Sequence, residues 1–405
     1  MTDLNTPLTI LGGITAQTFI DEYWQKKPLL IRGGLVDFTL PLEADELAGM
    51  AMEEEIESRI VIENGLSPWE TRQGPFNEDT FATLPEKEWT LLVQAVDHWV
   101  PEIQNLKEQF EFLPSWRLDD VMVSYATEGG SVGPHYDQYD VFLVQVSGKR
   151  RWQVLAPDEY QDSAIQNIKL HILDNFPVNP DMDWELEAGD ILYLPPNFAH
   201  NGRSLDDECM TYSIGFRAPS MQDVLTGIRD KLCETDNVKD RFAAPETANR
   251  QHSAHISKDD IQYLQTELAR LINQPDLLAE WLGETMSESK YPEYLAPLNQ
   301  EEVNDAFSSA TKGQTFIRPG DARICYYAQQ NAEDNGKIRV FCNGENLLVD
   351  AELTGFIEAV CHQIEFDFSG LDLTQNNDLE PLVRFLIRQQ GLIELVAAEE
   401  EKTVY

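Results

Sequence analysis

The sequence predicts an α+β protein of more than one domain: a β-rich centre, then a helical stretch, then a module of helices around a hairpin. Three observations carry this. Between about residues 118 and 217, short β-branched and aromatic runs alternate with Gly, Pro and Asp, as antiparallel sheets require. After "RAPS" the apolar residues change to helical spacing, and beyond about residue 299 helix-like segments flank a hairpin-like one. With 405 residues and 42% hydrophobic content, the chain is long enough for two or three domains with real cores.

Residues 1–110 mix short helices and strands. In "FIDEYWQKKPLLIRGG" an amphipathic piece over residues 19–24 leads through Pro28 into the strand-like "LLIRG". In the centre, "DVMVSYA", "DVFLVQV", "RRWQVLA", "DILYLPP" and "MTYSIGF" read as strands. Next, "IQYLQTELARLINQPDLLAEWLG" places Ile261, Leu264, Leu268, Leu271 and Ile272 on one apolar stripe along a helix. That stripe is covered either within its own chain or in a two-fold dimer. A Pro-containing connection around "YPEYLAPLNQEEV" leads into the last segment. There a helix precedes the hairpin "RICYYAQQNAEDNGKIRVFC", with Asp334, Asn335 and Gly336 at its turn, and the helices "LTGFIEAVCHQI" and "LEPLVRFLIRQQ" follow. Helices around a hairpin suggest a winged-helix-like module.

Charge restricts the partners. With 71 acidic against 30 basic residues, the formal net charge is −41, which repels nucleic acid and attracts a basic partner. Salt adaptation would give the same composition, so charge supports a partner only beside other grounds. Direct nucleic-acid binding is not expected, even from the winged-helix-like module, because phosphate contacts dominate such affinity. The opening "MTDLNTPLTILGG" has neither a basic start nor an apolar run of secretory length, and no stretch approaches a membrane span, so the expected location is cytoplasmic. Cys209, Cys233, Cys325, Cys342 and Cys361 are odd in number and scattered, without a CxxC pair; they read as reduced, mostly buried residues.

The chemistry concentrates in "GPHYDQYDVFLVQVSGKRRW", which begins at Gly133. On extended backbone, residues i and i+2 face the same side, so His135 and Asp137 aim an imidazole and a carboxylate at one point. A metal needs a third ligand, and "EAGDILYLPPNFAHNG" offers His200. Gly189 and Asp190 read as a turn opening a strand, Pro195 and Pro196 end it, and His200 follows where a loop returns toward the sheet. His135, Asp137 and His200 would form the two-histidine, one-carboxylate facial triad of non-haem Fe(II) oxygenases, leaving three positions open. A lone HxD often arises by chance; the Gly-rich approach "EGGSVGPH", the apolar strand and the later GD-strand-PP-His unit give this one its context. His98, His252, His255 and His362 lie outside the β-rich centre, and His171 reads as packed or hydrogen-bonded.

Open metal positions call for a second cosubstrate. A buried Arg beside the triad can hold a distant carboxylate through two parallel hydrogen bonds. Arg150 shares a strand face with Trp152 and Val154, the face expected to point inward, whereas Lys149 and Arg151 share the other. Arg150 is therefore the expected dicarboxylate anchor. Ser124, Thr211 and Ser213 are further polar groups on candidate inner strands, for which cosubstrate contact and an exposed strand face both remain open.

Together, "YWQKKPLLIRGG", "GPHYDQYDVFLVQVSGKRRWQV", "GDILYLPPNFAHNG" and "YSIGFRAPS" resemble the JmjC-type ribosomal oxygenases, in particular their bacterial arginine-hydroxylating members. The specific motifs cover roughly the first 220 residues; beyond them the likeness is one of domain order. The resemblance implies a double-stranded β-helix (cupin/JmjC) catalytic domain over residues 1–219, a helical dimerisation region over 220–298 and a winged-helix-like C-terminal domain over 299–405. It implies a homodimer using Fe(II), 2-oxoglutarate and O₂, with His135, Asp137 and His200 as iron ligands and Arg150 on the distal carboxylate of 2-oxoglutarate. It also implies a basic ribosomal protein as substrate, namely large-subunit ribosomal protein sixteen, hydroxylated at the β-carbon of an arginine with release of succinate and CO₂. An arginine-binding pocket should offer carboxylates or aromatic faces, for which Asp119, Asp120, Tyr136 and Tyr139 are the candidates. Hydroxylation of histidine or asparagine, lysine demethylation, a metal-binding cupin without oxygenase chemistry and a non-catalytic assembly factor are the competing readings; no GxSxG elbow or P-loop is present.

Overall fold

Alternation in the central runs decides which side chains meet. In a computed structural model of the chain, which describes residues 4–36, 38–234, 241, 252–328, 336–370, 373 and 379–395, the alternating residues form two facing sheets. The chain divides into two compact units, Met1–Ala218 and Pro219–Tyr405.

The first unit opens with α1 (Ala16–Glu22), whose N-terminus is capped by the Thr15 side chain accepting from the Thr18 amide. It leads into β1 (Leu29–Ile31). Helix α2 (Ala44–Met50), strands β2 (Ser58–Asn64) and β3 (Pro68–Gln73), α3 (Glu78–Ala82), β4 (Trp89–Val93) and α4 (Pro101–Glu108) follow. The β-rich centre then supplies β5 (Leu118–Ala126), β6 (Val141–Ser147), β7 (Lys149–Leu155), β8 (Asp183–Glu187), β9 (Ile191–Leu194), β10 (Ala199–Ser204) and β11 (Cys209–Phe216). An eight-stranded sheet runs in the order β1-β9-β6-β11-β5-β4-β2-β3, and a three-stranded sheet in the order β10-β7-β8.

One face of the large sheet carries Phe142, Val144, Met210, Tyr212, Ile214, Val121 and Val123 into the main core, beneath Phe19 and Phe110. Its other face carries Val141, Leu143, Leu192 and Leu194, which meet Trp152, Val154 and Leu186 of the small sheet in a second core. The site lies at this second layer because the polar residues of β5, β6, β7 and β11 interrupt it. Two facing antiparallel sheets closing on a shared interior make the double-stranded β-helix.

Two expectations are corrected. His200 lies within β10 rather than on a loop: "AHNGRS" is polar because only alternate residues face the interior, and a Gly among them weakens its strand signal. The long apolar helix is two helices, α6 (Lys258–Ile272) and α7 (Pro275–Ser287), because Pro275 cannot continue the first and opens the second. In the second unit, α5 (Met221–Glu234) and α7 enclose Ile228, Leu232 and Trp281. Ser257 caps α6 through a reciprocal bond pattern with Asp260. Of the predicted stripe, Ile261, Leu264, Leu268 and Ile272 are exposed, and only Leu271 packs on the α5–α7 cluster.

The remainder contains α8 (Gln300–Thr311), β12 (Thr315–Ile317), β13 (Ile324–Ala328), β14 (Lys337–Cys342), β15 (Glu345–Asp350), α9 (Thr354–His362), β16 (Glu365–Asp367), α10 (Leu379–Arg388) and β17 (Ile393–Glu394). The predicted hairpin is β13 paired with β14, extended by β15. Asp334 and Asn335 of its turn lie outside the described residues. Helix α10 buries Leu379, Leu382, Val383, Leu386 and Ile387, the spacing of a single helical face.

Candidate metal centre and cosubstrate pocket

His135 lies on the extended segment before β6, joined to β10 by paired backbone bonds: its amide donates to the His200 carbonyl at 3.0 Å, and the His200 amide donates back at 2.7 Å. This bridge sets the two imidazoles side by side, with ring centres 4.4 Å apart. Each ring is oriented from behind. His135 Nδ1 lies 2.8 Å from the Gly133 carbonyl and His200 Nδ1 3.0 Å from the Phe198 carbonyl, so both present Nε2 to the same point. Asp137 completes the group: one ligand atom from each of the three residues lies within 4.8 Å of the others. Two nitrogens and a carboxylate oxygen, each imidazole held by a backbone acceptor, fit a divalent transition metal.

Electrostatics keep the site ready for a cation. Burial, reinforced by the neighbouring His135, pulls His200 down to about 4, against the opposing pull of Asp137. Its ring is therefore neutral, with a free lone pair, at physiological pH. Tyr139, 41% exposed as a whole residue, donates to the Asp137 carboxylate; desolvation of its hydroxyl end and the nearby charges of Asp137, Asp120 and Asp119 push the phenol pKa up, so it remains a donor.

Beside the metal group is a polar pocket. On β7, Arg150, Trp152 and Val154 point inward, while Lys149 and Arg151 are exposed and pair with Glu187 and Asp183. The register places Val154 opposite His200, Trp152 opposite Gly202 and Arg150 opposite Ser204, so Arg150 stands two strand steps away from the metal ligands. Facing it are Ser124, Thr211 and Gln145, neighbours across β5, β11 and β6. All three are buried, as is Arg150. Arg150 Nε lies 3.2 Å from Cys209 Sγ and Nη1 3.5 Å from Ser124 Oγ, whereas Nη2 is buried with no partner. Trp152 Nε1 is a second buried donor without a partner on the same strand face. Orphaned buried donors carry a desolvation penalty of about 1–3 kcal/mol each, so an acceptor-rich ligand between the sheets fits this pocket.

With that geometry in view, comparison with known proteins is direct. The JmjC domain family matches residues 105–224, and the ROXA-like winged helix family matches residues 270–390. Ribosomal protein uL16 3-hydroxylase of Escherichia coli (strain K12) is 36% identical over 330 residues, 81% of this chain and 84% of that protein. The chain belongs to the JmjC ribosomal oxygenases. A probable ribosomal oxygenase of Haemophilus influenzae is 41% identical over 223 residues, 55% of this chain and 54% of that one. The solved structure of YcfD, a ribosomal oxygenase from Escherichia coli in complex with cobalt and 2-oxoglutarate, superposes with a TM-score of 0.77 at 32% identity. That superposition covers 94% of this chain and 98% of that one.

Within this ribosomal oxygenase the remaining sequence candidates separate. Thr211 faces the pocket, its hydroxyl donating to Gln145 Oε1 at 2.9 Å. Ser124 faces the pocket too, donating to the Thr211 carbonyl at 3.3 Å. Ser213 is half-buried one step nearer the metal end, between Met122 and Leu143. Asp119 pairs with Arg217 Nε at 2.8 Å, and Tyr139 is 41% exposed. Two candidates for the substrate pocket are corrected. Asp120 is buried, its carboxylate accepting the Ala95 amide at 3.0 Å. Tyr136 packs beside Tyr160 and His171 with its hydroxyl on Asp162, because extended backbone turns it away from its neighbours His135 and Asp137. The sequence reading missed Gln145 and Cys209. A glutamine inside an apolar strand run was the available signal for the first; the second had none.

Proposed function

We propose that this ribosomal oxygenase binds Fe(II) through His135 Nε2, Asp137 and His200 Nε2, and holds the distal carboxylate of 2-oxoglutarate on Arg150. The reading continues to the substrate: it hydroxylates the β-carbon of an arginine in ribosomal protein uL16. The observation that carries the cosubstrate reading is the unpartnered Arg150 Nη2, a buried cationic donor two strand steps from the triad. The arginine of uL16 rests on similarity to the Escherichia coli uL16 3-hydroxylase and on the acidic surroundings of the site.

Bound Fe(II) supplies the chemistry that couples oxidative decarboxylation of 2-oxoglutarate, to succinate and CO₂, to transfer of one oxygen atom of O₂ into a C–H bond. The chain's own residues do the positioning. His135 and His200 are aimed by the carbonyls of Gly133 and Phe198. Arg150 sets the distance from the metal at which a five-carbon dicarboxylate can reach it, and Trp152 walls the space between. At the mouth, exposed Tyr139 offers an aromatic face to a guanidinium, and Asp119, paired with Arg217, stands beside it. Placing one C–H bond at the reacting position is the protein's share of catalysis.

Three further proposals accompany this one. Residues 1–219 act as the catalytic domain, 220–298 as a dimerisation region and 299–405 as a winged-helix-like module. The exposed stripe on α6 is the seam of a homodimer. With a net charge of −41 the enzyme attracts a basic ribosomal protein and avoids RNA, which favours the free protein in the cytoplasm over assembled ribosomes.

The test is 2-oxoglutarate turnover with Fe(II) and O₂, with and without uL16, followed by peptide mass spectrometry. Gain of one oxygen atom on a single arginine, lost in His135→Ala, is the expected result. Oxygen on a histidine or asparagine would keep the oxygenase and replace the substrate residue; absence of any turnover would return the chain to a metal-binding cupin.

A further inference from the structure

The unusual feature of the cosubstrate pocket is what stands behind the arginine. Arg150 Nε donates to a thiol, Cys209 Sγ, at 3.2 Å. Gln145 Nε2 donates to the same sulfur at 3.4 Å, and also to the Ser147 carbonyl at 2.7 Å. Gln145 Oε1 in turn accepts the Thr211 hydroxyl. Cys209, Gln145 and Thr211 are fully or almost fully buried, so this chain of contacts is shielded from bulk solvent. Close packing also constrains the backbone of Cys209. At the β6–β7 turn, Gly148 (φ +61°) has no room for a side chain, because a Cβ would lie 2.7 Å from both Cys209 N and Cys209 Cα.

A guanidinium is a planar fork, so holding Nε from one side decides where both Nη groups point. With Nε on Cys209 and Nη1 on Ser124, Nη2 is left facing the interior without a partner. The geometry points to Cys209 as the positioning residue for the cosubstrate: it holds the Arg150 fork, with Gln145 bracing the sulfur, so that the fork meets a distal carboxylate without reorganisation. This rests on the reading of Arg150 as the 2-oxoglutarate anchor. Cys209 is not among the metal-ligand group, and it acts through Arg150. A side chain that accepts at the same place, such as serine, preserves the role, whereas alanine leaves Nε buried and unpaired, free to swing the fork out of register.

The experiment measures 2-oxoglutarate affinity in the full-length protein loaded with Mn(II), by calorimetric titration, for the parent, Cys209→Ala, Cys209→Ser and Arg150→Ala. Turnover with Fe(II) gives KM and kcat for the same set. Cys209→Ala is expected to weaken 2-oxoglutarate binding about tenfold, with the change in KM rather than kcat, while Mn(II) affinity stays at the parental value. Cys209→Ser is expected to recover most of the loss, which a purely packing role for the thiol would not predict. Should Cys209→Ala fail to fold, Gln145→Met removes the brace while leaving Arg150 and Cys209 in place, and a smaller loss in the same direction is expected. Parental 2-oxoglutarate affinity in Cys209→Ala, or in Gln145→Met where that variant stands in, overturns the proposal, as does a Cys209→Ser variant as weak as Cys209→Ala. If Arg150→Ala binds 2-oxoglutarate at parental strength, the anchor reading itself has failed, an outcome separate from the other two.

Discussion

At the scale of single residues, the site depends on a few side chains whose states are set by burial. His200 is pulled down to about 4, well below the 6.5 of a free imidazole. The sign follows: below 6.5 the unfolded chain takes up a proton that the folded ring refuses, so stability is retained above that pH and lost as pH falls toward 4. Thermal melts of metal-free protein across this window should show the midpoint falling with pH, and His200→Asn should flatten the slope; a slope unchanged by the substitution would assign the acid sensitivity elsewhere. With Arg150 as the proposed anchor, Arg150→Ala should remove a charge-assisted pair worth about 2–3 kcal/mol, roughly 30- to 150-fold in KM for 2-oxoglutarate. Steady-state kinetics check this. Residues at this scale were legible when their pattern was short: the i, i+2 spacing of His135 and Asp137, and the inward phase of Arg150 with Trp152 and Val154. Cys209 was not legible, because its role comes from a cross-strand approach to Arg150 between residues 59 positions apart.

At the scale of elements, β10 shows why a metal ligand can sit on a strand that does not read as one. Its inward positions His200, Gly202 and Ser204 are a ligand, a gap and a hydroxyl, and none contributes apolar alternation. The gap is required by packing. A Cβ on Gly202 would lie 2.5 Å from the Trp152 ring, which covers that position and lies 5.7 Å from the His200 ring, centre to centre. Gly202→Ala therefore has to displace Trp152 or spread β10 from β7, at about 1–3 kcal/mol. The displacement would also move the indole that lies between His200 and Arg150. Lower melting temperature together with weaker 2-oxoglutarate binding is expected, and a full-affinity, fully stable variant would show that the indole has somewhere else to go. The neighbouring strands β5, β6, β7, β9 and β11 were legible because each carries β-branched or aromatic residues bounded by Gly, Pro or Asp. The break between α6 and α7 was missed because the apolar spacing continues across Pro275, and proline at a first helical turn suits a new helix as well as it ends an old one.

At the scale of the whole molecule, two surface features ask for a partner. The stripe Ile261, Leu264, Leu268 and Ile272 is exposed along one face of α6. Leu264→Asp with Leu268→Asp should convert a dimer to a monomer by sedimentation, leaving the melting of the first unit unchanged; a parent chain that sediments as a monomer would leave the stripe without this explanation. The net charge of −41 has two competing origins, attraction of a basic substrate and adaptation to salt, and they predict opposite responses to ionic strength. Attraction across solvent is screened over about 10 Å at 0.1 M salt, so kcat/KM for uL16 should fall steeply as salt rises from low to physiological concentration. The KM for 2-oxoglutarate should change far less if Arg150 is its anchor as proposed, because Arg150 is buried and screening there is weak. Measuring both in one salt series separates the causes. A fall confined to the protein substrate identifies the charge with partner recognition, whereas activity toward both substrates that is sustained or increased by salt identifies it with the solvent in which the protein works.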